Sequence, residues 1–165
     1  MFSYHWFLVI SGMKNLLIAL GTDIIMDEGV SVILAKDLHE LFPVFDLHIF
    51  PAANIEMIML MTNYNTVIII DTVAGSKPGK IIFFEDFHEA DTLHLKNPHD
   101  ANFQLTMQMA VKLNYPLPKK MFVLGIGIKQ QMVASEFPSS ELVDHYLFML
   151  EKSQTLIQQI IIPSN

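Results

Sequence analysis

Three side chains spread along this sequence have the types that hydrolytic or metal chemistry needs. They are Glu28 in Asp27-Glu28-Gly29, Asp71 at the close of the β-branched run Thr66 to Ile70, and His99 in Asn97-Pro98-His99. Two carboxylates and one imidazole make an open donor set for a first-row divalent ion. Imidazole suits nickel, zinc or iron, and three ligands leave coordination positions vacant for a substrate. The chain has no Cys, so a thiol nucleophile, a disulfide framework, a zinc ribbon and an iron–sulfur cluster are excluded together. Glu28 and His99 equally suit ordinary first-turn capping, and residue type alone leaves both readings open. Asp71 is harder to assign to structure, because a carboxylate ending a buried strand carries a desolvation cost. Burial disfavours its charge, which suits it to act as a general base.

The elements that must position these groups follow from hydrophobic period and punctuation. Asn15 to Leu20 is a continuous apolar run ending at Gly21, a strand covered on both faces. Val30, Ile33, Leu34, Leu38 and Leu41 then fall on one helical face, and the helix stops before Pro43. Asp46 to Phe50 reads as a second strand. Asn54 caps a helix carrying Ile55, Ile58, Met59 and Met61. Thr66 to Ile70 is the clearest strand, the sheet's centre, ending at Asp71. A turn over Gly75 to Gly79 returns the chain as the strand Lys80 to Phe84, and so short a connection predicts an antiparallel edge. Asn97-Pro98 opens a helix with Phe103, Met107, Ala110 and Val111 on one face. Met121 to Leu124 is the last strand, stopped by Gly125 and Gly127, and Ser139 or Ser140 caps a closing helix through Leu142, Tyr146, Met149 and Leu150.

The predicted fold class is α/β: a three-layer sandwich with a mostly parallel five-stranded sheet, one antiparallel edge strand and helices on both faces. It forms a single domain over residues 1–165, with residues 1–14 an apolar N-terminal extension and residues 15–160 the α/β body. Open parallel sheets bind ligands outside the carboxyl ends of their strands. Glu28, Asp71 and His99 all follow strands or open helices there, and Gly21, Asp23 and Asp27 are the substrate-side candidates beside them. The positive end of a helix disfavours imidazolium, leaving His99 able to offer its lone pair, and favours the Glu28 carboxylate.

Composition removes several function classes. Apolar residues make up 52% of the chain and charged residues 16%, which excludes extended disorder. A net charge of −7, with ten Lys and no Arg, argues against a nucleic-acid partner. The longest uncharged run, Met57 to Ile70, contains Thr62, Asn63 and Asn65 and falls short of the roughly 20 apolar residues of a membrane span. The apolar start lacks a basic n-region, so a cytoplasmic protein is expected, with Met13 an alternative functional beginning. No dinucleotide fingerprint, Walker loop or serine-hydrolase elbow is present. The acidic and His-rich stretch Glu85, Asp86, His88, Glu89, Asp91, His94 reads as a solvated loop. His39 and His48 read as surface or half-buried, and Met59, Met107 and Met121 as core.

LLIALGTDIIMDEGVSVILAKDL, then VIIIDTVAGSKPGKI, NPHDANF and MFVLGIGI, in this order and spacing, resemble the hydrogenase maturation endopeptidases from about Asn15 to Ile160. The resemblance implies a peptidase that removes the C-terminal peptide from the large-subunit precursor of a nickel–iron hydrogenase after nickel insertion. It implies a metal-binding trio of Glu28 in DEGV, Asp71 in IIIDTV and His99 in NPHD, with Asp71 and Glu28 also catalytic. The nickel is carried by the substrate, although other divalent metals are able to occupy such a site. The implied partner is the precursor. The sequence departs from the family at Ala19-Leu20-Gly21-Thr22, where a Gly-any-Gly-Asn turn is usual, and at Ser31, where Gly is common. Two alternatives follow: a non-catalytic, nickel-recognising adaptor of the precursor, or a small-molecule metallohydrolase on the same architecture.

Overall fold

Leu16 to Leu20 has no side chain able to face water, and only a strand covered on both sides satisfies it. β1 (Asn15–Leu20) is buried at every position. A computed structural model describes residues 14–22, 26–85, 98–129 and 138–162. After β1 come a short 3-10 turn (Met26–Gly29), α1 (Val30–Leu41), β2 (Phe45–Phe50), α2 (Ile55–Met61), β3 (Thr66–Ala74), β4 (Ile81–Phe84), α3 (Pro98–Lys112), β5 (Lys120–Ile128) and α4 (Ser140–Ile161). The five strands lie in the order β2-β1-β3-β5-β4, with β3 at the centre as predicted. β1, β2, β3 and β5 run parallel, and β4 pairs antiparallel at the edge, its partner being β5.

The sheet divides the apolar interior in two. Leu17, Ala19, Ile68, Ile70, Phe122 and Leu124 pack with α1 and α4 on one face, while Leu16, Ile18, Val67, Ile69 and Met121 pack with α2 and α3 on the other. This is the alternation of a pleated strand, with successive side chains on opposite faces. Asn54 caps α2 as its type predicts, its Oδ1 accepting the Met57 N–H at 2.9 Å. Among the described residues no helix is long and apolar enough to cross a membrane.

Several boundaries and faces differ from expectation. β3 does not end at Asp71 nor β5 at Leu124; they extend each other through Asp71↔Gly125, Thr72↔Ile126, Val73↔Gly127 and Ala74↔Ile128. The glycines are not stops. They make room: a Cβ on Gly125 would lie 2.8 Å from Val73 Cγ2, and one on Gly127 only 2.2 Å from the Lys77 carbonyl oxygen. The turn over residues 75–79 rests on β5 there, with Gly79 N–H donating to Gly127 O at 3.0 Å and Gly127 N–H to Lys80 O at 2.8 Å. On α1, Ile33 and Leu41 are exposed while Ser31 and Ala35 are buried, so the small residues face the sheet and let the helix approach closely. Met59 and Val111 likewise point outward rather than into the core, and Thr106 is buried on α3 instead. His39 is half-buried, its Nδ1 paired with Phe45 O at 2.8 Å. His48 is exposed and stacks on Phe50.

Candidate active site

β1 connects through α1 to β2 on one side of the sheet, and β2 connects through α2 to β3 on β1's other flank. The two crossover helices cover opposite faces. The carboxyl ends of β1 and β3 therefore flank the point where the winding reverses, the place where an open α/β sheet leaves a crevice.

Glu28 lies in the 3-10 turn that enters α1, and this turn packs against β3. Both flanks of the turn are pinned. Ser31 Oγ donates to Leu20 O at 2.6 Å, tying the first turn of α1 to the end of β1. Asp27, expected on the substrate side, is instead only 2% exposed and accepts the Ser139 backbone N–H on Oδ1 at 2.6 Å. Gly21 continues the β1–β2 ladder by donating to Phe50 O at 2.9 Å, and its φ of 139° is a conformation that favours glycine.

Asp71 is half-buried, and its Oδ1 accepts the N–H of its neighbour Thr72 at 2.7 Å. The direction of that bond follows from the ladder. Thr66 N–H points to Lys14 O on the β1 side, while Asn65 O receives Lys120 N–H from the β5 side. Alternation along the strand then aims Thr72 N–H toward the β1 side, past the last β1–β3 pair, Ala19↔Ile70. The Asp71 carboxyl thus leans over the end of β1, where the connection to Glu28 begins. Val67 and Ile69 face α2 and α3, so the pleat puts the Asp71 side chain on that same face.

His99 is in the first turn of α3. Because α3 leads from its carboxyl end into the amino end of β5, its first turn lies at the opposite rim, beside the strands' carboxyl ends. Phe103, one turn further on, is buried in the same apolar cluster as Leu20. The structure therefore brings the backbones that carry Glu28, Asp71 and His99 to one rim. The side chains of Glu28 and His99, and all of Asp23, lie outside the described residues. Of the acidic and His-rich stretch after β4 only Glu85 is described, and it is exposed.

The amino end of α4 reaches this rim as well. Lys129, one residue past β5, meets Glu141 in the first turn of α4 at 2.7 Å. Ser139 is the N-cap, but its hydroxyl makes no capping bond. The contribution of Ser139 is its backbone N–H to Asp27, a link that residue type does not announce. Thr22, standing where the resembling family has Asn, has a buried Oγ1 with no partner among the described residues.

The model of a family described as hydrogenase maturation protease (HycI) matches residues 52–159, a span that includes Asp71 and His99 and leaves out Glu28. No curated protein matches the chain in sequence. Among solved structures, the chain is similar to the hydrogenase maturating endopeptidase HybD from E. coli, with a TM-score of 0.72 and 19% identity over 89% of this chain and 93% of that one. It is similar to the [NiFe] hydrogenase maturation protease HybD from Thermococcus kodakarensis, with a TM-score of 0.65 and 19% identity over 87% and 99% of the two chains. The maturation protease HycI from the same organism gives a TM-score of 0.56 and 20% identity over 93% and 96%. At such identities the likeness is one of fold.

Proposed function

This chain belongs to the hydrogenase maturation protease family, and from that premise we propose that it removes the C-terminal peptide of a hydrogenase large-subunit precursor already loaded with nickel. The nickel is part of the substrate. Glu28, Asp71 and His99 engage it, so that a seated metal licenses the cut. Peptide hydrolysis adds one water across the scissile amide. Asp71 or Glu28 takes the proton from that water, a role a carboxylate at a half-buried rim can fill without a Ser or Cys nucleophile. Gly21, at the end of β1, borders the peptide.

The observation that supports this reading is the position of Asp71. Asp71 stands on β3 just past the last β1–β3 pair, at the winding reversal, its Oδ1 held by the Thr72 N–H, and the turn that bears Glu28 packs against the same strand. The test is to incubate the purified protein with nickel-loaded and nickel-free precursor and weigh the products. A mass loss confined to the nickel-loaded precursor is expected. Unchanged mass with binding retained would replace the peptidase reading with that of an adaptor, and cleavage of both precursors would remove nickel as the licence.

A further inference from the structure

We infer that Asp27 is a positioning residue, which holds the turn carrying Glu28 by clamping it to the amino end of α4. The inference rests on the reading of Glu28 given above. Asp27 precedes Glu28 directly, is 2% exposed, and accepts the N–H of Ser139, 112 positions away, at 2.6 Å. The amino end of a helix also attracts a carboxylate through its oriented N–H groups.

The clamp has a rigid backing. α4 runs for 22 residues, with Leu142, Met149 and Ile157 in the core, and Tyr146 bonded to Asp37 of α1. Ser31 pins the other flank of the turn to Leu20. A residue fastened on both sides is held in one geometry, and misplacement of a reacting group by about 1 Å costs on the order of a hundredfold in rate.

Ser139 has φ −59°, a value proline adopts, so Ser139→Pro deletes the donated N–H with little change of backbone. The experiment measures processing of nickel-loaded precursor by Asp27→Ala, Asp27→Asn, Ser139→Pro, the Asp27→Ala/Ser139→Pro double variant and Glu28→Gln. Expected are roughly 10- to 100-fold losses in kcat with KM little changed for Asp27→Ala and for Ser139→Pro. The double variant should lose far less than the product of the two single losses, because both variants remove the Asp27–Ser139 bond. Asp27→Asn, whose amide oxygen accepts the same N–H, should recover most of the rate.

Wild-type kcat in Asp27→Ala, or losses that multiply in the double variant, would overturn the inference. If Asp27→Ala does not fold, Ser139→Pro alone decides, and its full activity would count against the clamp. Glu28→Gln separates the two layers. Full activity there removes Glu28 from the site and this inference with it, whereas an inactive Glu28→Gln beside a fully active Asp27→Ala removes the inference alone.

Discussion

Tyr146 on α4 and Asp37 on α1, 109 positions apart, are joined by a hydrogen bond of 2.5 Å from the phenol to Asp37 Oδ2. Burial first, then this hydrogen bond and the nearby negative charge, raise the Tyr146 phenol above its ordinary pKa near 10. Holding the proton more tightly in the fold than in the open chain means the stabilisation is fully present below pH 10 and is lost as pH rises above it. Tyr146→Phe should cost about 1–2 kcal/mol at neutral pH and flatten the alkaline decline. Urea unfolding at pH 7 and above pH 10 checks both, and an equally steep alkaline decline in the variant would remove Tyr146 as its source.

Ser31→Ala should destabilise by about 1–2 kcal/mol, since it strips the buried Leu20 carbonyl of a bond from a fully buried hydroxyl. Chemical denaturation measures this directly. A loss within a few tenths of a kcal/mol would mean that other groups hold the end of β1.

Two glycines should respond differently to Ala. At Gly127 the new Cβ would meet the Lys77 carbonyl oxygen at 2.2 Å, and backbone cannot step aside as a side-chain tip can. A loss of about 2–3 kcal/mol, or displacement of the turn over residues 75–79, is expected. Gly75 has open space around it and only its φ of +73° to set against a side chain, so Gly75→Ala should cost about 1 kcal/mol. Paired melting curves rank the two.

Asp71→Asn keeps an oxygen for the Thr72 N–H, so its melting temperature should stay close to wild type. Its processing rate should fall by roughly 10²- to 10⁴-fold if the carboxylate does the proton transfer. Glu28→Gln and His99→Ala should abolish processing with folding retained. Circular dichroism and product mass give the two readouts, and full activity in any one variant takes that residue out of the mechanism.

The strands were the most legible part of this chain. β1 announced itself because a strand covered on both faces needs unbroken apolar residues, and Leu16 to Leu20 supplies them. β3 and β5 run on past Asp71 and the glycines, which look like punctuation in the sequence, because the ladder between them accommodates those residues. The α1 face departs from the hydrophobic pattern at Ser31 and Ala35, which are small yet buried. The rim on which Glu28, Asp71 and His99 are carried follows from strand direction, which alternating strands and helices imply. The Ser139 tether was invisible, since a backbone N–H belongs to almost every residue and only the folded chain shows where one points.

Ile68 and Ile69 are consecutive in β3 and both fully shielded, yet one belongs with α1 and α4 and the other with α2 and α3. Covalent neighbours, they share no apolar company, because the hydrogen-bonded layer between them is a partition. Truncating both should therefore produce a deficit close to the sum of the separate ones, as for distant sites. Each half of the interior is able to absorb sequence drift without consulting the other.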